Sequence, residues 1–119
     1  MDEQLRHVAP CWFLPLLPDI QQACRDHHLA YLYVIGSLLK ADSFRPESDI
    51  DWVYAFDSEE VADDIYLDNL KQFWQKLERL TGREADLIHY PSLINPFFIE
   101  EIDETKQLIY DAKSEKISV

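Results

Sequence analysis

The chain has 119 residues, 47% of them hydrophobic, a length that fits one domain with one core, since domains most often run ~100–150 residues. Asp and Glu total 23 against 11 Lys and Arg, and the net charge of -12 argues against a broad cationic track along a nucleic-acid backbone. With 2 Gly and 2 Cys, extended Gly-rich phosphate loops and a disulfide framework are excluded as well.

Residues 1–13 read as an arm or initial helix. Their short apolar run is broken at Pro15 and Pro18, and Asp2 and Glu3 stand where a secretory leader would be basic. No stretch approaches the ~20 apolar residues that span a bilayer. Cys11 and Cys24 show no CxxC spacing. The expectation is a cytoplasmic protein with reduced thiols and no membrane partner. Pro15 and Pro18 suit the first turn of a helix running to about His28. His27 and His28 are sequential, so they diverge and serve as surface or helix-end residues rather than a metal pair.

Residues 30–35, AYLYVI, predict a buried strand that stops at Gly36-Ser37. Residues 38–48 predict a short helical turn and a loop, and residues 49–56, DIDWVYAF, a strand entering a covered sheet. Apolar residues at Val61, Ile65, Leu70, Phe73, Trp74, Leu77 and Leu80 predict a helix over Glu59 to Leu80. Asp57 or Ser58 would cap it, six acids between Asp57 and Asp68 would favour its N-terminal end, and Gly82 would close it in a left-handed conformation.

Residues 84–90 predict a third strand, Asn95-Pro96 the start of another helix, and residues 106–111 a fourth strand. The expected architecture is α/β (α+β): a small mixed β-sheet of about four strands flanked by helices. It forms one domain over residues 1–119, with residues 112–119 fraying. The aromatic residues Trp12, Trp52, Trp74, Phe97 and Phe98 suit core or interface positions, and exposed aromatics fit a homo-oligomer or a partner surface.

Chemistry concentrates between the first two strands. Asp49 and Asp51, at i and i+2, aim two carboxylates from one strand face. Like charges held together call for a cation or a shared proton, and Mg²⁺ is the natural hard cation for oxygen ligands. Asp86 supplies a third carboxylate if its strand lies beside residues 49–56; Glu84, on the same strand face, is the rival. The Ser37 hydroxyl and the amides of the turn after Gly36 form a small anion site. Acids beside a phosphate pocket point to transfer at the α-phosphorus of a nucleoside triphosphate, one metal ion serving the attacking oxygen and a second the departing pyrophosphate. His89 faces away from Asp86 on its strand and is a poor ligand.

Gly36-Ser37 after a strand, Asp49-Ile50-Asp51 opening the next, Asp86 on a later strand and the ending NPFFIEEIDETKQLIYD together resemble the minimal nucleotidyltransferases of the DNA-polymerase-β-like superfamily, over about residues 25–111. The resemblance implies a nucleotidyltransferase fold, ATP as donor and Mg²⁺ held by Asp49, Asp51 and Asp86. The last would also assist deprotonation of the acceptor hydroxyl, while Gly36, Ser37 and Lys40 would bind the nucleotide. It further implies an antitoxin that transfers AMP to a tyrosine of a small helical HEPN-domain toxin. Where such proteins carry an Arg or aromatic residue, a small residue and Arg-Gly after Gly-Ser, this chain reads Leu38, Leu39, Lys40 and Ala41. Lys40 keeps the charge but not the guanidinium fork. That departure leaves two alternatives open: a non-catalytic binding module that neutralises its partner by contact, and an enzyme modifying a small molecule.

Overall fold

A computed structural model describes residue 5 and residues 9–36, 49–57 and 63–117, with side chains described as far as residue 114. Among the described residues, the elements with defined bounds are four helices and four strands, with short 3-10 turns between some of them. Helix α1 spans Leu17–Asp26, β1 Leu29–Ile35, β2 Ile50–Phe56, α2 Tyr66–Thr81, β3 Ala85–His89, α3 Pro96–Thr105, β4 Gln107–Asp111 and α4 Ala112–Ile117. The strands form one sheet in the order β3-β2-β1-β4. β1 runs antiparallel to β2 and β4, and β2 runs parallel to β3. The mixed four-stranded sheet expected from the sequence is therefore present.

Local chemistry explains most element ends. Pro15 lies in a 3-10 turn, Leu14–Leu16, and Pro18 in the first turn of α1, where a missing amide hydrogen leaves nothing unpaired. His27 is the C-cap of α1, and His28 takes a left-handed φ of 60° to turn the chain into β1. At the start of α3 the Asn95 side chain accepts from the amides of Phe97 at 3.0 Å and Phe98 at 3.4 Å. Gly82, at φ 68°, ends α2 and donates to the Glu78 carbonyl at 2.9 Å, as a left-handed cap does.

One expectation is corrected. α2 begins at Tyr66, not Glu59, behind a 3-10 turn over Asp63–Ile65, and its N-cap is Ile65 with no side-chain cap. Asp57 instead donates its backbone N–H to the His28 carbonyl at 2.8 Å. The apolar spacing extended the helix too far because Ile65 is half exposed, and the residues that α2 buries are Phe73 and Leu77. Residues Ala112–Ile117 form α4, and the Asp111 carboxylate accepts from the Lys113 amide at 2.9 Å and starts the turn. Ser58 and Val61, and the turn predicted over residues 38–48, lie outside the described residues.

The sheet has two different faces. Leu32, Val34, Trp52, Tyr54 and Phe56 pack against Ile20, Ala23 and Cys24 of α1 and Phe73 and Leu77 of α2, with Leu5 and Phe13 closing the core. Each fully buried large side chain contributes ~1.5–3 kcal/mol. The other face holds a smaller cluster of Ile35, Val53 and Ile102, joined by Tyr33, Ile88, Tyr90, Leu93 and Phe98. Thus α3 covers part of the second face, and the ends of the strands beyond it carry polar groups.

Candidate active site

In the parallel ladder Asp51 on β2 is the register partner of Asp86 on β3, and in the antiparallel ladder Asp51 pairs with Ile35. Directly opposed residues share a face, so both carboxylates lie on the face that α3 partly covers, at the strand ends where β1 runs into Gly36. The two carboxyls are in hydrogen-bond contact. Burial raises the proton affinity of Asp51 first, followed by the negative charges of Asp86 and Asp49 and the hydrogen bond with Asp86. A carboxylate that prefers a proton here is one whose charge lacks a cation.

Gly36 touches the same carboxyl. Its φ is +78°, and a Cβ placed on it would fall 2.5 Å from Asp51 Oδ2. Any side chain would therefore displace Asp51 as well as strain the backbone. A turn glycine was legible in the sequence; its contact with Asp51 was not, because only the β1–β2 register brings the two residues together.

Asp49 precedes β2 and is exposed, while Asp86 is exposed and Asp51 intermediate. Glu84 also precedes its strand and is exposed; its carbonyl accepts from the Ile50 amide at 2.9 Å. Asp86 rather than Glu84 faces Asp51. Ser37 and Lys40 lie outside the described residues. Among the described residues, no group of three or more His, Cys, Asp or Glu closes around one point suited to a metal ion. The three expected carboxylates appear instead as a contacting pair, Asp51 and Asp86, with Asp49 close enough for its charge to act on Asp51. All three donors are hard oxygens, two are exposed, and the pair carries mutual repulsion that a divalent cation would relieve, so these residues fit Mg²⁺.

The α3 helix is fastened to this face at its far end. Tyr90 Oη donates to Asp103 Oδ1 at 2.8 Å, and Lys106 Nζ donates to the same oxygen at 3.1 Å. The Lys106 ammonium also lies 4.7 Å from the Tyr33 ring centroid and 5.2 Å from that of Tyr90, a cation–π contact. The Tyr90 hydrogen bond, then that of Lys106, holds the Asp103 carboxyl below the usual range. His89 lies on the opposite face from Asp86, its ring 5.3 Å from that of Tyr54.

The profile of the polymerase β nucleotidyltransferases matches residues 19–115, and the chain belongs to that family. Solved structures share the fold. One described as a minimal nucleotidyltransferase superposes with a TM-score of 0.63 at 22% identity, covering 80% of this chain and 90% of the other. A toxin–antitoxin structure with AMP-PNP gives 0.59 at 22% identity, over 83% and 76% of the two chains. The structure of a tri-AMPylated Shewanella oneidensis HEPN toxin in complex with an MNT antitoxin gives 0.55 at 20% identity, over 87% and 76%. No curated protein sequence matches significantly. Among the described residues, no helix is long and apolar enough to cross a membrane.

Proposed function

We propose that this single-domain chain is a cytoplasmic, Mg²⁺-dependent nucleotidyltransferase that moves AMP from ATP to a hydroxyl of a partner protein, and that the partner is a HEPN-domain toxin for which it is the antitoxin. The observation that carries this reading is the Asp51–Asp86 carboxyl pair with Gly36 packed against it, in a chain of the polymerase β nucleotidyltransferase family. The AMP-PNP and AMPylated-toxin structures support the donor and the acceptor.

In this reading Asp49, Asp51 and Asp86 hold Mg²⁺, which when bound neutralises charge on the triphosphate and stabilises the attacking and departing oxygens. Gly36, Ser37 and Lys40 receive the phosphates; the absent Cβ of Gly36 keeps that approach open beside Asp51. Asp86, exposed at the edge of the pair, accepts the proton of the acceptor hydroxyl as it attacks the α-phosphorus. Asp51, more enclosed, fixes the pair in place through the β1–β2–β3 ladder.

The test is incubation with α-labelled ATP, Mg²⁺ and the candidate toxin. Label should enter the toxin and be absent with the Asp49→Asn/Asp51→Asn variant. Equal labelling by that variant would refute the assignment of the site. Protection of cells by a folded variant that transfers nothing would point to neutralisation by contact alone.

A further inference from the structure

On the helical layer, across the sheet from the acid pair, His27 at the C-cap of α1 and Gln72, Gln75, Lys76 and Arg79 of α2 line a cavity of about 230 Å³. Positions 72, 75, 76 and 79 recur at helical spacing, so one face of α2 supplies four hydrogen-bonding side chains. In a chain of net charge -12, this cavity has two fixed cations in its lining and no carboxylate. Two other surface cavities mix signs: one joins Lys71 to Glu78, the other Lys113 to Asp57 and Asp111. Neither Lys76 nor Arg79 has an ion pair or a side-chain hydrogen bond among the described residues.

The imidazole is held in a defined orientation. Asn69 Nδ2 donates to the His27 carbonyl at 2.8 Å, which turns Asn69 Oδ1 toward His27 Nδ1 at 3.0 Å, so Nδ1–H is the donor there. The ring also packs 5.7 Å from that of Phe73 in the core. Nε2 is the nitrogen left for a ligand, and it accepts from a protonated phosphate oxygen or, in the imidazolium form, donates to one.

We infer that this cavity binds a phosphate group, supplied as inorganic phosphate or by a mononucleotide, at a site separate from the acid pair. A guanidinium fork matches two phosphate oxygens, the lysine adds a point charge, and the glutamine amides supply further donors. The volume lies below the ~300–1,000 Å³ of pockets that enclose larger ligands, which suits a phosphate with its attached group outside.

The test uses the full chain in EDTA at low salt, titrated with inorganic phosphate, AMP and adenosine while backbone amide signals are followed by NMR. Phosphate and AMP should shift the signals around His27, Gln75 and Arg79, and adenosine should not. Equal affinity for phosphate and AMP identifies free phosphate as the ligand, and tighter AMP identifies a mononucleotide. Lys76→Ala/Arg79→Ala should weaken binding by about tenfold or more. Lys71→Ala/Lys113→Ala, with the same change in net charge, should leave it within about twofold. Equal weakening by both double variants, no weakening by the first, no binding of either phosphate compound, equal binding of adenosine, or shifts centred on Gly36 and Asp51 would each overturn the inference.

Discussion

Asp51 and Asp86 face each other across the parallel β2–β3 ladder with their carboxyls in hydrogen-bond contact. A contact of that kind needs a proton, and without one it is repulsive. Asp51's proton affinity is raised, so the sign of the linkage is fixed: its contribution to stability is fully present below the ordinary carboxylate pKa and is lost as pH rises through the raised value. Once ionised, the pair therefore costs stability. Asp51→Asn should stabilise the metal-free chain at pH 7–8 by on the order of 0.5 kcal/mol, allowing for solvent screening at a partly exposed carboxyl. Added Mg²⁺ should raise the Tm of the wild-type chain and leave that of the variant nearly unchanged. Urea melts and thermal melts with and without Mg²⁺ decide the point, and a variant less stable than wild type in EDTA would contradict it.

The two glycines should respond differently to alanine. Both have positive φ, but nothing lies within 4 Å of a Cβ at Gly82, whereas one at Gly36 meets Asp51 Oδ2. Gly82→Ala should cost about 1 kcal/mol and leave nucleotide transfer intact. Gly36→Ala should cost about 2 kcal/mol or more and abolish transfer, because Asp51 must move. Denaturation midpoints and the labelling assay read both effects.

His89 gives the fold an acid limit. Burial holds its imidazole below the ordinary value of 6.5, so between that lowered value and 6.5 the unfolded chain binds more protons than the folded one. Stability therefore falls as pH drops through this window. His89→Gln should flatten the stability profile just below pH 6.5, measured by urea unfolding at a series of pH values. An unchanged slope would show that another group governs it.

Ile102 ties α3 to the acid-bearing face beside Ile35 and Val53 and is 1% exposed. Ile102→Ala should destabilise the chain by about 2–4 kcal/mol through loss of apolar burial and the cavity left behind. Asp103→Asn, which weakens the surface latch to Tyr90 and Lys106, should cost clearly less than Ile102→Ala, because exposed ion pairs and hydrogen bonds are screened by solvent. Equal losses in chemical denaturation would mean that the latch holds α3 in place as firmly as the apolar contact does.

Much of this was legible in the residues. Pro18, Asn95-Pro96 and Gly82 mark helix ends through local backbone chemistry, and the structure uses each as expected. The alternation Asp49-Ile50-Asp51 placed two acids toward one side. The start of α2 was not legible, since Ile65 continues an apolar spacing yet packs into nothing that would bury it. Which acid faces Asp51 was equally hidden. Glu84 and Asp86 have the same parity along the chain, and only the pairing of Ile50 with Ala85 decides between them. Register is a property of two strands together and leaves no mark on either alone.

The β2–β3 pairing also bears on how the molecule is made. β1 and β2 are consecutive antiparallel partners, but β3 joins β2 in parallel only after the chain has passed through α2. Contacts that close such a long crossover come at a larger cost in chain entropy than those of neighbouring antiparallel strands. A nascent chain that has folded through β2 holds Asp49 and Asp51 without their counterpart. The opposed carboxyls come into being with the crossover itself, and hydrogen-exchange labelling during refolding would register that moment as the protection of the Ile50 amide by the Glu84 carbonyl.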